Sequence, residues 1–226
     1  MTGSEGEESA VADVNGGTKN DAGGEGLTGE QARAWIIAFA DRVADGAGEL
    51  TDLDRRAGDG DFGWNLDTAL GRVRTGLAEI GADHPAQVFQ AVSDAFLASG
   101  GTSGPLFGLW FGRVAHGPET PWAVTDLATA FGVAADAVQR LGKAEVGHKT
   151  MVDAMVPAAR SLAETGTDNW RDALREAAVA AAEGARATEG MVARRGRASY
   201  LGDRAAEVID PGALAVAWFF DSADRV

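Results

Sequence analysis

Cysteine is absent from this chain of 226 residues, and tyrosine and histidine are scarce, with one and three copies. Without thiols the protein forms no disulfide, no zinc–thiolate site and no thiol nucleophile, which agrees with a cytoplasmic location. Residues typical of strands are also few, because Val, Ile and Thr rarely alternate with polar residues. The composition therefore predicts a nearly all-helical protein.

Long apolar runs and positive charge are in short supply as well. No segment has the length and apolarity of a membrane span, and the first residues lack the pattern of a signal peptide, so we expect no membrane association. Lys and Arg number 20 against 34 Asp and Glu, a formal net charge of -14 that disfavours nucleic acid as a partner. A phosphate ligand would be repelled unless local cations and backbone amides reverse the field.

Composition divides the chain into two parts. Residues 1–26 contain seven glycines, six acidic residues and one lysine, which predicts a disordered acidic tail. Residues 27–226 are expected to form one helical domain, since the chain is 45% hydrophobic. Thr28 followed by Gln31 is a capping-box pattern that predicts a first helix running to about Leu53.

Seven further amphipathic stripes follow the first helix. Counting the first helix, the fifth stripe runs from Leu127 to Leu141. The connections between the stripes are short, which predicts mostly antiparallel neighbours in an eight-helix bundle. The seven stripes begin near Leu66, Val88, Leu106, Leu127, Val152, Trp170 and Leu214.

The run of residues 54–65 carries the most unusual chemistry in the chain. Asp59 and Asp61 alternate with glycines, which let a tight loop direct both side chains to one point. Asp54 lies four residues beyond Leu50 on the buried stripe of the first helix, so its carboxylate is expected to point inward and to need a cation. Magnesium suits such oxygen ligands. The Gly-Asp-Gly-Asp sequence alone would also suit a plain turn.

A second candidate site is the loop of residues 99–105. Its small residues expose backbone amides before a helix opened by Pro105, and Thr102 and Ser103 add hydroxyl groups. This combination suits a bound anion. A flexible connection with Ser103 as a simple N-cap is an equally good interpretation of this loop taken alone.

A third cluster occupies residues 141–154. Its glycines, among them Gly142, would let a flat ring approach the backbone, and Met151 would pack against that ring. Judged by residue type alone, Met151 in the core and Lys149 as a solvated charge is the better prediction.

A fourth cluster combines residues 196–204 with residues 210–213. Arg197 lies in a glycine-flanked turn, where a guanidinium suits contact with phosphate. An arginine with acidic neighbours is more often part of a surface ion pair. No Ser/His/Asp arrangement stands out, and no catalytic residue is predicted.

In this order the clusters resemble the nucleotide-binding L subunit of bacterial dihydroxyacetone kinase, equivalently the C-terminal domain of single-chain dihydroxyacetone kinases. The resemblance spans roughly residues 28–222 and is specific because five motifs occur together. They are Leu53-Asp54 with Gly58-Asp59-Gly60-Asp61, Ser99-Gly100-Gly101-Thr102-Ser103-Gly104-Pro105, Gly147-His148-Lys149-Thr150-Met151-Val152-Asp153-Ala154, Gly196-Arg197-Ala198-Ser199-Tyr200, and Asp210-Pro211-Gly212-Ala213.

The resemblance implies an eight-helix barrel whose loops at one end hold ATP or ADP through two magnesium ions. It implies Asp54, Asp59 and Asp61 as the metal ligands. The nucleotide-binding residues that it implies are Phe62, Gly63, Trp64, Asn65, Thr102, Ser103, Gly142, Met151, Arg197, Asp210, Pro211 and Gly212.

The resemblance also implies a division of labour. A separate K-type subunit holds dihydroxyacetone covalently on a histidine, and the L subunit presents the phosphoryl group, in glycerol and dihydroxyacetone catabolism. The expectation is therefore a kinase subunit that is active only with its partner. One alternative is a subunit that keeps ADP bound while a phosphotransferase-system subunit of the M type rephosphorylates it. Another is a non-catalytic, nucleotide-dependent regulatory module.

Two positions depart from the usual pattern of that family. Phe62 stands where histidine is usual after the third aspartate, and His148 stands where aspartate is usual before the Lys-Thr-Met sequence. These differences suggest a paralogue that acts on another small ketose or sugar-alcohol derivative, while the three aspartates remain.

Overall fold

The computed structural model describes residue 1 and residues 26–99, 103–200 and 202–226. Within these ranges the chain forms eight α-helices and no strand, and an isolated antiparallel bridge joins Leu27 to Trp122. The all-α prediction is therefore confirmed. The helices are α1 (Gly29–Ala57), α2 (Phe62–Glu79), α3 (Pro85–Leu97), α4 (Gly104–Val114), α5 (Val124–Gly142), α6 (Val152–Glu164), α7 (Trp170–Ala187) and α8 (Pro211–Asp221).

Side-chain caps explain where the first and the last helix begin. The Thr28 hydroxyl accepts a hydrogen bond from the Gln31 amide at 3.2 Å, and the Gln31 side chain accepts one from the Thr28 amide at 2.9 Å. This is the predicted capping box of α1. The Asp210 carboxylate caps α8 by accepting from the Ala213 amide at 2.8 Å. However, α1 continues to Ala57, so Asp54 lies on the helix itself.

The eight helices form a closed ring. Each helix packs against the next in sequence, and α8 packs against α1. Because successive helices run in opposite directions, the starts of α2, α4, α6 and α8 share one end of the barrel with the last turn of α1 and that of α5. The predicted antiparallel eight-helix barrel is confirmed, and its geometry gathers four helix N-termini at that end.

Aromatic side chains fill the centre of the barrel. The Trp35 ring is fully buried and stacks on Phe219 with ring centroids 4.4 Å apart, while its indole N–H donates to the Phe219 carbonyl at 2.6 Å. The pairing satisfies the polar atom of the ring within the core. Trp110 and Phe131 lie against the same Phe219 ring. These contacts anchor α8, whose opposite end carries Asp210.

The structure tests the predicted burial of Leu141 but does not describe most of the predicted acidic tail. Leu141, predicted on a buried stripe, is 58% exposed, because the last turn of α5 lies at the end of the barrel. The predicted acidic tail lies almost entirely outside the described residues. None of the described helices combines the length and the apolar composition needed to cross a bilayer.

Glycine at position 63 lets α2 approach α1. A Cβ atom there would lie 2.1 Å from the Ala47 carbonyl oxygen and 2.5 Å from the Thr51 hydroxyl oxygen. At Gly71, further along α2, a Cβ atom would meet open space.

We therefore expect Gly63→Ala to lower the free energy of unfolding by about 2–3 kcal/mol, because the two helices would have to separate. The matched change Gly71→Ala is expected to be neutral or to stabilise by up to about 1 kcal/mol, through the better helix propensity of alanine. Urea unfolding of both variants makes the comparison, and equal effects would contradict this packing.

Candidate functional site

A cavity of about 280 Å³ opens at the end of the barrel where the even-numbered helices begin. It brings together most of the residues predicted for the site. These are Asp54, Asp59, Asp61, Phe62, Asn65, Ser103, Gly142, Met151, Arg197, Asp210, Pro211 and Gly212. Residues that the sequence reasoning did not assign to a ligand also line it, namely Ala57, Leu106, Val138, Ala144, Lys149, Thr150, Val152, Arg195, Gly196 and Ala198.

Two of the described residues predicted for nucleotide binding are not among those that line the cavity. Gly63 packs against α1, and Trp64 is 56% exposed. The reason is helical periodicity, since Phe62 and Asn65 are three residues apart and share the face of α2 that turns to the cavity. Thr102 lies outside the described residues.

The Asp54 carboxylate organises the acidic loop. Its side chain is buried, as predicted, and its Oδ2 atom accepts hydrogen bonds from the amides of Gly60, Asp61 and Phe62 at 2.9, 3.0 and 3.1 Å. Three backbone donors thus stabilise one oxygen of this carboxylate, and its role as a metal ligand stays a prediction. Gly60 has φ +79°, which allows the chain to turn back onto Asp54.

This turn brings the three aspartates together. One carboxylate oxygen from each of Asp54, Asp59 and Asp61 lies within 4.8 Å of the others. Asp59 and Asp61 are exposed, so water and a ligand can reach their oxygens. A set of hard oxygen donors with room for water is what Mg²⁺ requires, and the residues therefore fit this ion.

Arg197 approaches the same carboxylates from a distant part of the chain. Its Nη1 atom pairs with Asp59 Oδ2 and lies 3.6 Å from Asp61 Oδ1. The guanidinium thus balances the negative charge of the loop at the mouth of the cavity. Both a phosphate-binding arginine and an ion-pairing arginine were open from the sequence, and the described structure contains the ion pair.

The opposite wall of the cavity is apolar. Met151 is 7% exposed, and a Cβ atom at Gly212 would lie 3.4 Å from the Met151 Cβ. Val138 and Ala144 continue this wall near Gly142. An apolar wall with glycines suits a flat ring, while the acidic loop suits a metal-bound anion, so the cavity fits a ligand that has both parts.

Lys149 is not the solvated charge that its residue type predicts. It is 1% exposed, and its ammonium donates to the Thr188 carbonyl at 2.6 Å and to the Val208 carbonyl. Burial lowers the pKa of this ammonium, and the charges of Asp210 and Asp153 oppose that shift. The sequence signal was weak, because the two carbonyls lie 39 and 59 residues away along the chain.

Asp210 keeps part of its surface open to the cavity, but protein atoms surround its carboxyl densely. Desolvation raises the pKa of this group to about 7. The hydrogen bond from the Ala213 amide and the nearby Lys149 charge act in the opposite direction. The Asp210 carboxyl therefore changes its protonation state near neutral pH.

The fold and the site define a helical-barrel protein with one cavity whose lining is partly acidic and partly apolar. This chain belongs to the DAK2 domain family, whose model matches residues 56–224. It is 37% identical over 195 residues to the "PEP-dependent dihydroxyacetone kinase, ADP-binding subunit DhaL" of Escherichia coli, covering 84% of this chain and 93% of that one. The resemblance inferred from the motifs is confirmed, and the family is one of kinases and kinase subunits.

Longer relatives contain a similar region. Dihydroxyacetone kinase 1 of Saccharomyces cerevisiae is 32% identical over 193 residues, which cover 82% of this chain and 32% of that protein. The D-erythrulose kinase of Mycolicibacterium smegmatis is 35% identical over 187 residues, covering 80% of this chain and 32% of the relative. This chain thus spans nearly all of the E. coli subunit and about a third of these longer kinases.

A solved structure shares the fold. The dihydroxyacetone kinase of C. freundii, in complex with AMP-PNP and Mg²⁺, superposes with a TM-score of 0.65 at 22% sequence identity. The match covers 98% of this chain and 38% of that one. The likeness supports the helical barrel independently of sequence.

The raised pKa of Asp210 predicts how the free energy of unfolding changes with pH. The folded protein holds this proton up to about pH 7, whereas the unfolded chain releases it near the ordinary value of 3.8. Between pH 3.8 and about pH 7, unfolding therefore releases a proton from Asp210. The free energy of unfolding that this group contributes falls as the pH rises through this range.

Asp210→Asn removes this titration and keeps an oxygen that accepts from the Ala213 amide. In ligand-free protein, we expect the unfolding free energy of the variant to rise relative to the native protein by about 2 kcal/mol between pH 5 and pH 7, and to level off above it. Urea unfolding at several pH values measures the difference. A constant difference over this range would show that the native carboxyl is already ionised at pH 5.

Proposed function

We propose that this protein binds a magnesium nucleotide and donates its phosphoryl group to dihydroxyacetone, or a related small ketose, held on a separate K-type subunit. The process belongs to glycerol and dihydroxyacetone catabolism in the cytoplasm. The observation that carries the proposal is the trio of Asp54, Asp59 and Asp61, which faces an apolar wall across one cavity. The names of the relatives support it.

The proposal assigns a role to each part of the cavity. Two Mg²⁺ ions held by the aspartates would neutralise and orient phosphate oxygens for in-line transfer. Asp54 fixes the backbone of the loop through its three amide hydrogen bonds, which keeps Asp59 and Asp61 close to each other. Met151 and Gly212 form the wall for the adenine ring.

Arg197 and the start of α4 complete the phosphate side. The guanidinium already lies at the carboxylates, so a phosphate bound beside Asp59 would meet a positive group as well as metal. Ser103 lines the cavity at the N-terminus of α4, where backbone amides favour an anion. In the proposal Thr102 and Asn65 also contact the phosphates. In the proposal, the Arg197 guanidinium and the N-terminus of α4 lower the repulsion that a phosphate would meet from the negatively charged chain.

A second candidate differs only in the phosphoryl donor. In it, ADP stays bound and is rephosphorylated in place by an M-type subunit of the phosphotransferase system. The observation in its favour is that the bacterial relatives covered almost end to end are named as ADP-binding subunits, PEP-dependent in Escherichia coli and PTS-dependent in Lactococcus lactis. Extraction of freshly purified protein followed by mass spectrometry separates the candidates, because only this version retains stoichiometric ADP.

The metal assignment predicts the effect of one neutral substitution. Asp59→Asn is expected to weaken the binding of ADP in the presence of Mg²⁺ by at least about tenfold, because one anionic ligand is lost. Calorimetry measures the affinity with Mg²⁺ and again with EDTA, where the difference between variant and native protein is expected to disappear.

Asp52→Asn is the matched control, because it makes the same change of charge on an exposed residue near the end of α1 that does not line the cavity. It is expected to bind ADP with native affinity. If Asp59→Asn also bound ADP as tightly as the native protein, the aspartate trio would not hold the metal.

The division of labour predicts an activity that depends on the partner. The purified protein with Mg-ATP is expected to leave dihydroxyacetone unphosphorylated, and addition of a K-type subunit is expected to start turnover. A coupled assay for dihydroxyacetone phosphate makes the measurement, with a K-type subunit lacking its substrate-binding histidine as control. Turnover without any partner would refute the proposed division, and native ADP binding without turnover would favour a regulatory module.

A further inference from the structure

The segment between α7 and α8 carries Arg197. We call the described residues 189–200 and 202–207 the Arg197 loop. It begins after Thr188 and returns at Val208, and it contains two short 3₁₀ turns. Since Gly196, Arg197 and Ala198 line the cavity, the position of this loop determines whether the guanidinium reaches the aspartates.

The two ends of the Arg197 loop are tied together by Lys149. Its ammonium donates to the carbonyl of Thr188 on one side and to that of Val208 on the other. Two further hydrogen bonds close the same neck: the Gly190 amide donates to the Ala206 carbonyl at 2.7 Å, and the Asp210 amide donates to the Thr188 hydroxyl at 2.8 Å. The Lys149 ammonium thus bridges the two ends of the loop from outside it, while the other two hydrogen bonds join the ends directly.

The middle of the loop is held differently. A small buried cluster, separate from the main core, joins it to the last turn of α1. Its members are Ala57, Ala193, Ala198, Ala205 and Val208. Small side chains bury little apolar area, so this cluster alone gives the loop limited stability. Two hydrogen bonds add to it, since the Arg194 amide donates to the His148 carbonyl at 3.1 Å and Arg195 Nε donates to the Lys143 carbonyl at 2.7 Å. The neck acts together with these contacts on the position of Arg197.

Lys149 is itself held in an unusual backbone conformation. Its φ is +60°, in the left-handed region that favours glycine, and it directly precedes Thr150 and the start of α6. The Asp153 carboxylate secures the turn by accepting from the Gly147 amide at 2.5 Å and from the Thr150 amide at 2.8 Å. Such a conformation persists only where its surroundings impose it, and it is often found at functional sites.

A buried ammonium is costly unless its donors are used. Here the donors go to carbonyl groups of the neck, while the Asp153 carboxylate supplies compensating negative charge. An apolar side chain of similar length would fill the space but leave both carbonyls without this donor. The charge at position 149 thus serves the neck rather than the packing.

We propose that Lys149 is a positioning residue that closes the neck of the Arg197 loop and thereby holds the Arg197 guanidinium at the mouth of the cavity. The part of this proposal that concerns nucleotide rests on the proposed function. The same residue joins the neck to the turn before Met151, so it couples the phosphate side of the cavity to its apolar wall.

The first test needs no ligand. Lys149→Met keeps the length of the side chain and removes the ammonium, and amide hydrogen exchange then reports on the neck. We expect exchange of the Gly190 amide to become at least about tenfold faster, while amides in the middle of α1 keep their native rates. Native exchange at Gly190 would overturn the proposal.

Lys143→Met is the matched control. Lys143 also has a positive φ, +48°, and lies six positions before Lys149 at the end of α5, but its side chain is exposed. The control removes the same charge from the same region and is expected to leave the exchange of Gly190 unchanged. An equal effect of both variants would show that general electrostatics, rather than the neck, is responsible.

The second test asks whether Lys149 acts through Arg197. Calorimetric titration with Mg-AMP-PNP compares the native protein, Lys149→Met, Arg197→Ala and the double variant. If Lys149 acts by positioning Arg197, each single change weakens binding by about tenfold or more and the double variant is hardly weaker than Arg197→Ala. Fully multiplicative losses would show that Lys149 does not act through the loop, and native affinity of Lys149→Met would overturn the proposal.

A variant of a second neck residue keeps the proposal testable if Lys149→Met does not fold. Thr188→Val preserves shape and removes the hydroxyl that accepts from the Asp210 amide, and the same exchange and binding measurements apply with the same expected directions. Absence of Mg-AMP-PNP binding by the native protein would refute the proposed function. The exchange rates would still decide whether Lys149 closes the neck.

Discussion

The site depends on one carboxylate oxygen. Asp54 Oδ2 accepts three backbone amides from the loop that follows α1, and this folds the loop back over the end of the helix. Each such charge-assisted hydrogen bond contributes about 1.5–3 kcal/mol. Asp59 and Asp61 belong to that loop. The hydrogen-bonded backbone therefore fixes the points from which their side chains extend.

The antiparallel barrel places partial positive charges at one end of an acidic protein. The net charge of -14 repels phosphate overall, but the closed ring gathers the N-termini of α2, α4, α6 and α8 at one end. Their partial positive charges, together with Arg195 and Arg197, lie around the cavity. These positive groups offset part of the negative charge that the aspartates place at the same end.

The two sides of the cavity differ in how firmly the fold holds them. Asp54 and Met151 are buried in or beside helices, and the Trp35–Phe219 stack anchors α8 behind Asp210. Arg197 instead lies on a loop that is joined to the barrel by a cluster of small side chains, by hydrogen bonds from Arg194 and Arg195, and by the neck at Lys149. Ligand-binding segments are commonly drawn from the less stable parts of a fold, which allows entry and release.

The sequence by itself determined the features that act over short distances: the eight helices, the capping box at Thr28, the inward direction of Asp54 and the family to which the chain belongs. Periodicity and capping involve neighbours within a turn, so they are visible in the sequence. Only the tertiary structure decided that Arg197 meets Asp59, a residue 138 positions away, and that Lys149 is buried against carbonyls of the loop neck. It also decided that Gly63 serves helix packing while Trp64 faces outward, because the orientation of a helix is set by what packs against it. Contacts between distant segments depend on how the whole chain closes, and no local pattern encodes them.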